Sequence, residues 1–149
     1  MPYTIKQMSE LTGLPASTLR YYDKQGLLPN LRRDQNNVRI FSEEDYKSLR
    51  LIDCLKRSGL SIKDIRTFID LAGQGDNALN ERLDIFVRRR KALLKELADL
   101  QQVLGVIEYK CWYYGMACEA GTEDIMKEMA VPEEFREAKK HLLGGYCQN

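Results

Sequence analysis

The chain holds one histidine, one tryptophan and four prolines among 149 residues, and each scarcity excludes something. With only His141, no glycine-rich loop to cradle phosphate and no acidic cluster at metal-ligand spacing, the convergent acid, base and nucleophile groups of an enzyme are missing. Neither catalysis nor a resident cofactor or metal is expected. No apolar run approaches the roughly 20 residues that a membrane span needs. The start, Met1-Pro2-Tyr3-Thr4-Ile5-Lys6, lacks the basic and apolar regions of a secretory signal, so the expectation is a cytoplasmic protein whose four cysteines are thiols. Net charge is also scarce, at +1, but it is unevenly spread. Residues 1–41 carry six Lys or Arg against three Asp or Glu, and residues 118–149 carry four against seven. An anionic partner would sit at the basic end.

What is present begins with a capping box. Thr4 and Gln7 are spaced to satisfy each other's orphan backbone donors, and Ile5, Met8 and Leu11 follow at helical spacing. This helix stops at Thr12-Gly13, and Pro15 restarts one where its missing N–H costs nothing. The second helix runs to Lys24 and ends at Gly26. Leu19 is its core residue, while Ser17, Thr18, Arg20, Tyr21 and Lys24 are left polar or outward. Hydroxyls, Arg and Tyr suit phosphates and base edges, and the small Ala16 and Ser17 permit close approach; a plain surface helix of a three-helix domain has the same pattern. Beyond Leu31, Asn36-Asn37 breaks the chain before Val38-Arg39-Ile40-Phe41, which reads as a β-hairpin, although Gly would turn better than Asn37. Its strands carry Arg32, Arg33 and Arg39, a wing able to straddle a phosphate backbone.

Two further helices follow. Ser42 with Asp45 starts one that carries Tyr46, Leu49, Ile52 and Leu55 and ends at Ser58-Gly59. Ser61 with Asp64 starts the next, with Ile62, Ile65, Phe68, Ile69 and Leu71, ending at Gly73. Apolar residues then recur at Leu79, Leu83, Phe86, Leu93, Leu97, Leu100, Leu104 and Ile107, alternately four and three apart, with Arg90 the polar interruption. That is a heptad seam, on a proline-free helix of about 50 Å at 1.5 Å per residue. A second chain would bury it, and a homodimer would place two recognition helices on two half-sites. A helix folded back on its own domain would need a wider apolar face. The tail offers two short helices, from Glu123 to Met129 and from Pro132 to Leu143. His141 reads as a surface residue, and Cys147 lies near the end without a role.

The run Thr4-Ile5-Lys6-Gln7-Met8-Ser9-Glu10-Leu11-Thr12-Gly13-Leu14-Pro15-Ala16-Ser17-Thr18-Leu19-Arg20-Tyr21-Tyr22-Asp23-Lys24-Gln25-Gly26-Leu27-Leu28 resembles the opening of the mercury-resistance-regulator (MerR) family, and the likeness continues through Arg32 to Ser42. The resemblance implies a mainly α fold: an N-terminal winged helix-turn-helix with connecting helices (residues 1–73), a long dimerisation helix forming an antiparallel coiled coil (76–118) and an effector or tail region (119–149). It implies a dimeric transcription regulator that distorts double-stranded promoter DNA to realign it for RNA polymerase. By position, Arg20, Tyr21 and Arg39 resemble DNA contacts, with Tyr22 packing or touching a phosphate. Asn37-Val38 stands where the family often has Gly-Tyr.

The signal is less legible. Continuing the seam register places Cys111, Tyr114 and Cys118 on it. The family's association with metals makes Cys111 and Cys118 a test case. Seven residues on one helix separate them by about 10 Å, too far to share one ion, whereas a loop between them would allow it. Buried seam cysteines are the alternative, and an organic inducer held by Trp112, Tyr113, Tyr114 and Met116 is another. Cys54 has Arg50 one turn before and Arg57 one turn after, cations that favour a thiolate, with Asp53 opposing. A cysteine here, with the aromatic stretch Cys111 to Tyr114, resembles the aldehyde- and thiol-stress-responsive branch. Cys54 is therefore the candidate electrophile sensor, against an inert half-buried cysteine. Two rivals remain: an excisionase-like protein that bends DNA without regulating transcription, and a coiled-coil adaptor.

Overall fold

A computed structural model describes residues 2–144, and Cys147 lies outside them. The chain is mainly helical: α1 (Ile5–Thr12), α2 (Ala16–Lys24), strands β1 (Arg32–Arg33) and β2 (Arg39–Ile40), α3 (Glu43–Arg57), α4 (Ile62–Ala72), α5 (Leu79–Ala120) and α6 (Glu133–Gly144). Single 3-10 turns precede α5 at Gly75–Ala78 and follow it at Asp124–Lys127, the latter within the span expected to form a short helix. Two compact units result, Met1–Lys91 and Ala92–Asn149.

In the first unit, local chemistry sets every boundary. The Thr4 hydroxyl accepts from the Gln7 backbone N–H, Gln7 Oε1 accepts from the Thr4 N–H at 2.9 Å, and Gly13 stops α1 at a φ of 74°. Ser42 and Asp45 form the same reciprocal box at α3, with the Asp45 carboxylate accepting from the Ser42 N–H at 2.8 Å. Pro15 starts α2 without a side-chain cap. Helices of eight and nine residues are marginal alone, so packing sustains α1 and α2. Their core is Met8, Leu19, Leu27, Phe41, Leu49, Ile52 and Ile65, all fully buried, joined by Tyr22, Leu28, Leu55 and Leu60. Each such apolar side chain stabilises by roughly 1.5–3 kcal/mol.

The wing is an antiparallel pair with Arg32 opposite Ile40 and Arg33 opposite Arg39. Tyr3 bridges Phe41, which ties the start of the chain to the wing's exit. Asn37 takes a φ of 62°, and Asp34 Oδ1 accepts the backbone N–H groups of Asn36 and Val38, each at 2.8 Å. The aspartate organises the turn, so Asn suffices where Gly was the stronger expectation.

The opening turns of α5 belong to the first unit. Ile85 is buried in its core, and Phe86 meets Phe68 of α4 edge to face, with ring centroids 5.0 Å apart. Phe86, expected on the seam, is thus shared with the first unit's core and half-buried there. Leu79 and Leu83 stay exposed. The Arg89 Nε donates to the Ser58 carbonyl at the end of α3, a cation placed where helix carbonyls lack partners. Gly59, at a φ of 93°, makes room: a Cβ there would stand 2.5 Å from an Arg89 nitrogen.

In the second unit, α6 returns antiparallel along α5. Phe135 lies against Trp112 at 5.7 Å between ring centroids, Ala138 lies 3.9 Å from where a Gly105 Cβ would be, and His141 lies 3.4 Å from Gln102. This return lies along the stripe 102, 105, 109, 112 and helps to bury Tyr109. Leu93, Leu97, Leu100, Leu104 and Ile107 occupy another face and are exposed, Leu100 to 66%.

Candidate nucleic-acid interface

Leu19 and Tyr22 root α2 in the core, which fixes what its other side presents. Ser17, Arg20, Tyr21 and Lys24 are exposed at three- and four-residue spacing, with Thr18 half-buried beside them. Tyr22 is 6% exposed, so the packing role expected for it stands and the phosphate-contact alternative is corrected. Burial, then the Asp53 carboxylate and Tyr21, push its phenol above the ordinary tyrosine range, which keeps the ring neutral in the core.

The wing arginines divide. Arg32 is exposed and directed away from the ion pairs of its neighbours. Arg33 and Arg39 converge on one carboxylate oxygen, with Arg33 Nη2 and Arg39 Nε each donating to Asp23 Oδ2 at 2.7 Å. Arg33 Nη1 also donates to the Asn37 carbonyl at 3.4 Å. The Asp23 side chain is 17% exposed, so solvent screens this triad less than a surface pair. Sequence reasoning named both arginines and missed the aspartate. The signal was there: Asp23 is an acid in the basic end of the chain, and strand register sets Arg33 beside Arg39.

The candidate sensor residues are less concentrated. Cys54 is exposed in the last turns of α3, which removes the half-buried alternative. Arg57, expected to favour its thiolate, instead donates to Asp53 at 3.1 Å, and Arg50 is exposed. Cys111 and Cys118 are exposed on one uninterrupted helix, so the loop that would let them share an ion is absent, and they are not buried within the chain. Among the described residues no group of three or more His, Cys, Asp or Glu is placed to hold a metal. Trp112 and Tyr109 pack on Phe135, and Lys110 Nζ lies 5.2 Å from the Tyr113 ring centroid. The rings expected to hold an inducer are thus partly engaged by the chain itself. No described helix is long and apolar enough to cross a membrane.

Residues 3–71 match the model of the MerR HTH family regulatory proteins, and residues 46–108 match that of the MerR DNA-binding region. An uncharacterized HTH-type transcriptional regulator of Haemophilus influenzae is 38% identical over 133 residues, spanning 89% of this chain and 98% of that protein. The chain belongs to the MerR family. The HTH-type transcriptional regulator AdhR of Bacillus subtilis is 35% identical over 91 residues, 61% of this MerR protein and 65% of AdhR. Among solved structures, HiNmlR, a MerR family regulator lacking the sensor domain and bound to promoter DNA, aligns with a TM-score of 0.73 at 39% identity, over 84% of this chain and 99% of that one. A MerR family regulator of Bacillus thuringiensis aligns at 0.64 and 40% identity, over 74% and 96%. The chain is accordingly a DNA-binding transcriptional regulator and not an enzyme.

Proposed function

We propose that this regulator works in the cytoplasm as a homodimer, sits on promoter DNA and distorts it for RNA polymerase. The carrying observation is the shared surface of α2 and the wing, where Ser17, Arg20, Tyr21 and Lys24 stand beside a hairpin bearing three arginines. HiNmlR, similar over most of this chain, was captured on promoter DNA, which supports the same use here. Exposed leucines on α5 from Leu93 to Ile107 support an antiparallel coiled coil with a second copy.

In this reading α2 enters the major groove and the wing grips the backbone. Arg20→Ala is expected to weaken binding to a duplex selected from a random pool by about 1–3 kcal/mol, and to relax its sequence preference. Arg32→Ala should weaken all duplexes alike and flatten the salt slope by about one unit. Both are read by fluorescence anisotropy across a salt series. Equal losses on selected and random duplexes for Arg20→Ala would remove the reading. Transcription that ignores the spacing between promoter elements would favour a DNA-bending protein without a regulatory role.

Cys54 is the proposed sensor of electrophiles. Its exposure supports this, as does its place on α3: the Cys54 carbonyl accepts the Ser58 N–H, and the Ser58 carbonyl accepts from Arg89 of α5. A modified Cys54 would disturb the last turn of α3, where α5 is anchored. With Arg57 held by Asp53, the proposal rests on the exposure of Cys54 and its place on α3 rather than on a paired cation. Iodoacetamide kinetics on Cys54→Ser and the unaltered chain, beside transcription, provide the check; an undiminished response in Cys54→Ser excludes this sensor.

A further inference from the structure

We infer that Asp23 is a positioning residue of the DNA-binding surface: its carboxylate fastens both strands of the wing to the recognition helix, so that helix and hairpin meet the duplex as one pre-set body. The inference rests on the DNA-binding reading above and adds to it the residue that sets the geometry.

Arg33 and Arg39 are directly paired across the wing, where like charges repel. A hairpin of two residues per strand has little to oppose that repulsion, and isolated hairpins are marginal in water. Asp23, in the last turn of α2, supplies the opposing charge to both at 2.7 Å. Charge-assisted bonds of this length are the strong kind. Because Leu19 and Tyr22 anchor α2 in the core, the carboxylate is itself fixed, and it passes that order to the arginines.

The pairing also sorts the donors. Arg39 is held through Nε, and its two terminal nitrogens have no other partner among the described residues. Arg33 uses Nη2 on Asp23 and Nη1 on the Asn37 carbonyl. Arg39 thus keeps two terminal nitrogens as donors, whereas Arg33 mainly braces the turn. Ordering these side chains before binding removes part of the entropy loss that association would otherwise bring. The same carboxylate reduces the free positive charge of the pair from two to one, which restrains binding to random duplex. Asp23 therefore favours discrimination over raw affinity.

The test compares the full-length chain with Asp23→Asn, nearly the same shape without the charge, and Asp23→Glu, which keeps it. The probes are a duplex recovered by selection with the unaltered protein and a scrambled duplex of equal length. For Asp23→Asn we expect about tenfold weaker binding to the selected duplex, unchanged or tighter binding to the scrambled one, and a salt slope steeper by about one unit. Amide hydrogen exchange at Asp34 and Asn37 should quicken without DNA, while Asp23→Glu keeps most of the discrimination.

Equal tightening on both duplexes with unaltered exchange would make Asp23 a mere screening charge and overturn the inference. Equal weakening with a general loss of thermal stability, in both variants, would make it structural and overturn it too. If the unaltered chain fails to discriminate the duplexes, the DNA-binding reading falls and takes the inference with it. If that chain discriminates and Asp23→Asn discriminates equally well, the inference alone falls.

Discussion

The two units handle apolar residues in opposite ways. Met1–Lys91 buries Met8, Leu19, Leu27, Phe41, Leu49, Ile52 and Ile65 completely, and its exposed surface around α2 and the wing is polar and basic. In Ala92–Asn149 the described apolar residues that are buried are Tyr109 and Ala117, while Leu93, Leu97, Leu100, Leu104 and Ile107 face water. One unit has completed its core within a single chain, and the other has left part of its core open. An exposed leucine face of this kind marks an interaction site, so in the proposed dimer the second unit carries the interface.

That contrast is broken most severely by placing charge on the open face. Leu97→Asp with Leu104→Asp touches residues that are exposed in one chain, so a monomer would tolerate it with little change. In a coiled coil the carboxylates would be buried without partners, and the dimer dissociation constant is expected to rise at least about a thousandfold, roughly 4 kcal/mol. Sedimentation at micromolar concentration should find monomers with unaltered melting of the first unit. A dimer that persists would place the interface elsewhere.

The converse experiment is Leu19→Ala in the closed core. Loss of a fully buried leucine is expected to destabilise the first unit by about 3 kcal/mol, lowering its melting temperature by on the order of 10–20 °C. Dimerisation through the second unit should continue. Intermediate in size is Gly59→Ala, where a positive φ coincides with the Arg89 guanidinium. Roughly 2 kcal/mol of destabilisation is expected from backbone strain and displaced packing, read by denaturant titration. A near-neutral result would mean that Arg89 moves aside without loss.

Most boundaries were legible because they are local: the capping boxes at Thr4 and Ser42, the stops at Gly13, Gly26 and Gly59, and the turn at Asn36-Asn37 each lie within a few residues of what causes them. The exposed side of α2 was legible from the same spacing. Contacts between distant segments were not. Phe86 fits the heptad register, and the spacing gave no sign that its ring also meets Phe68 of α4. Asp23 meets residues ten and sixteen positions away, through a hairpin whose register had to be known first. Arg57 was assigned to Cys54 by spacing, yet Asp53 also lies one turn before it and, as a carboxylate, has the stronger claim on a cation.

The smallest effect expected lies within the second unit. Phe135 covers Trp112 and Tyr109 but is itself only half-buried, so Phe135→Ala should weaken α6 docking by about 1–2 kcal/mol, below the cost in a closed core. Hydrogen exchange along Glu133–Gly144 should quicken and tryptophan fluorescence should shift to the red as Trp112 meets water. The leucine face lies on another side of α5, so the dimer constant should not move. If it does, α6 takes part in the interface, and the second unit is less divided between a covered face and an open one than the single chain indicates.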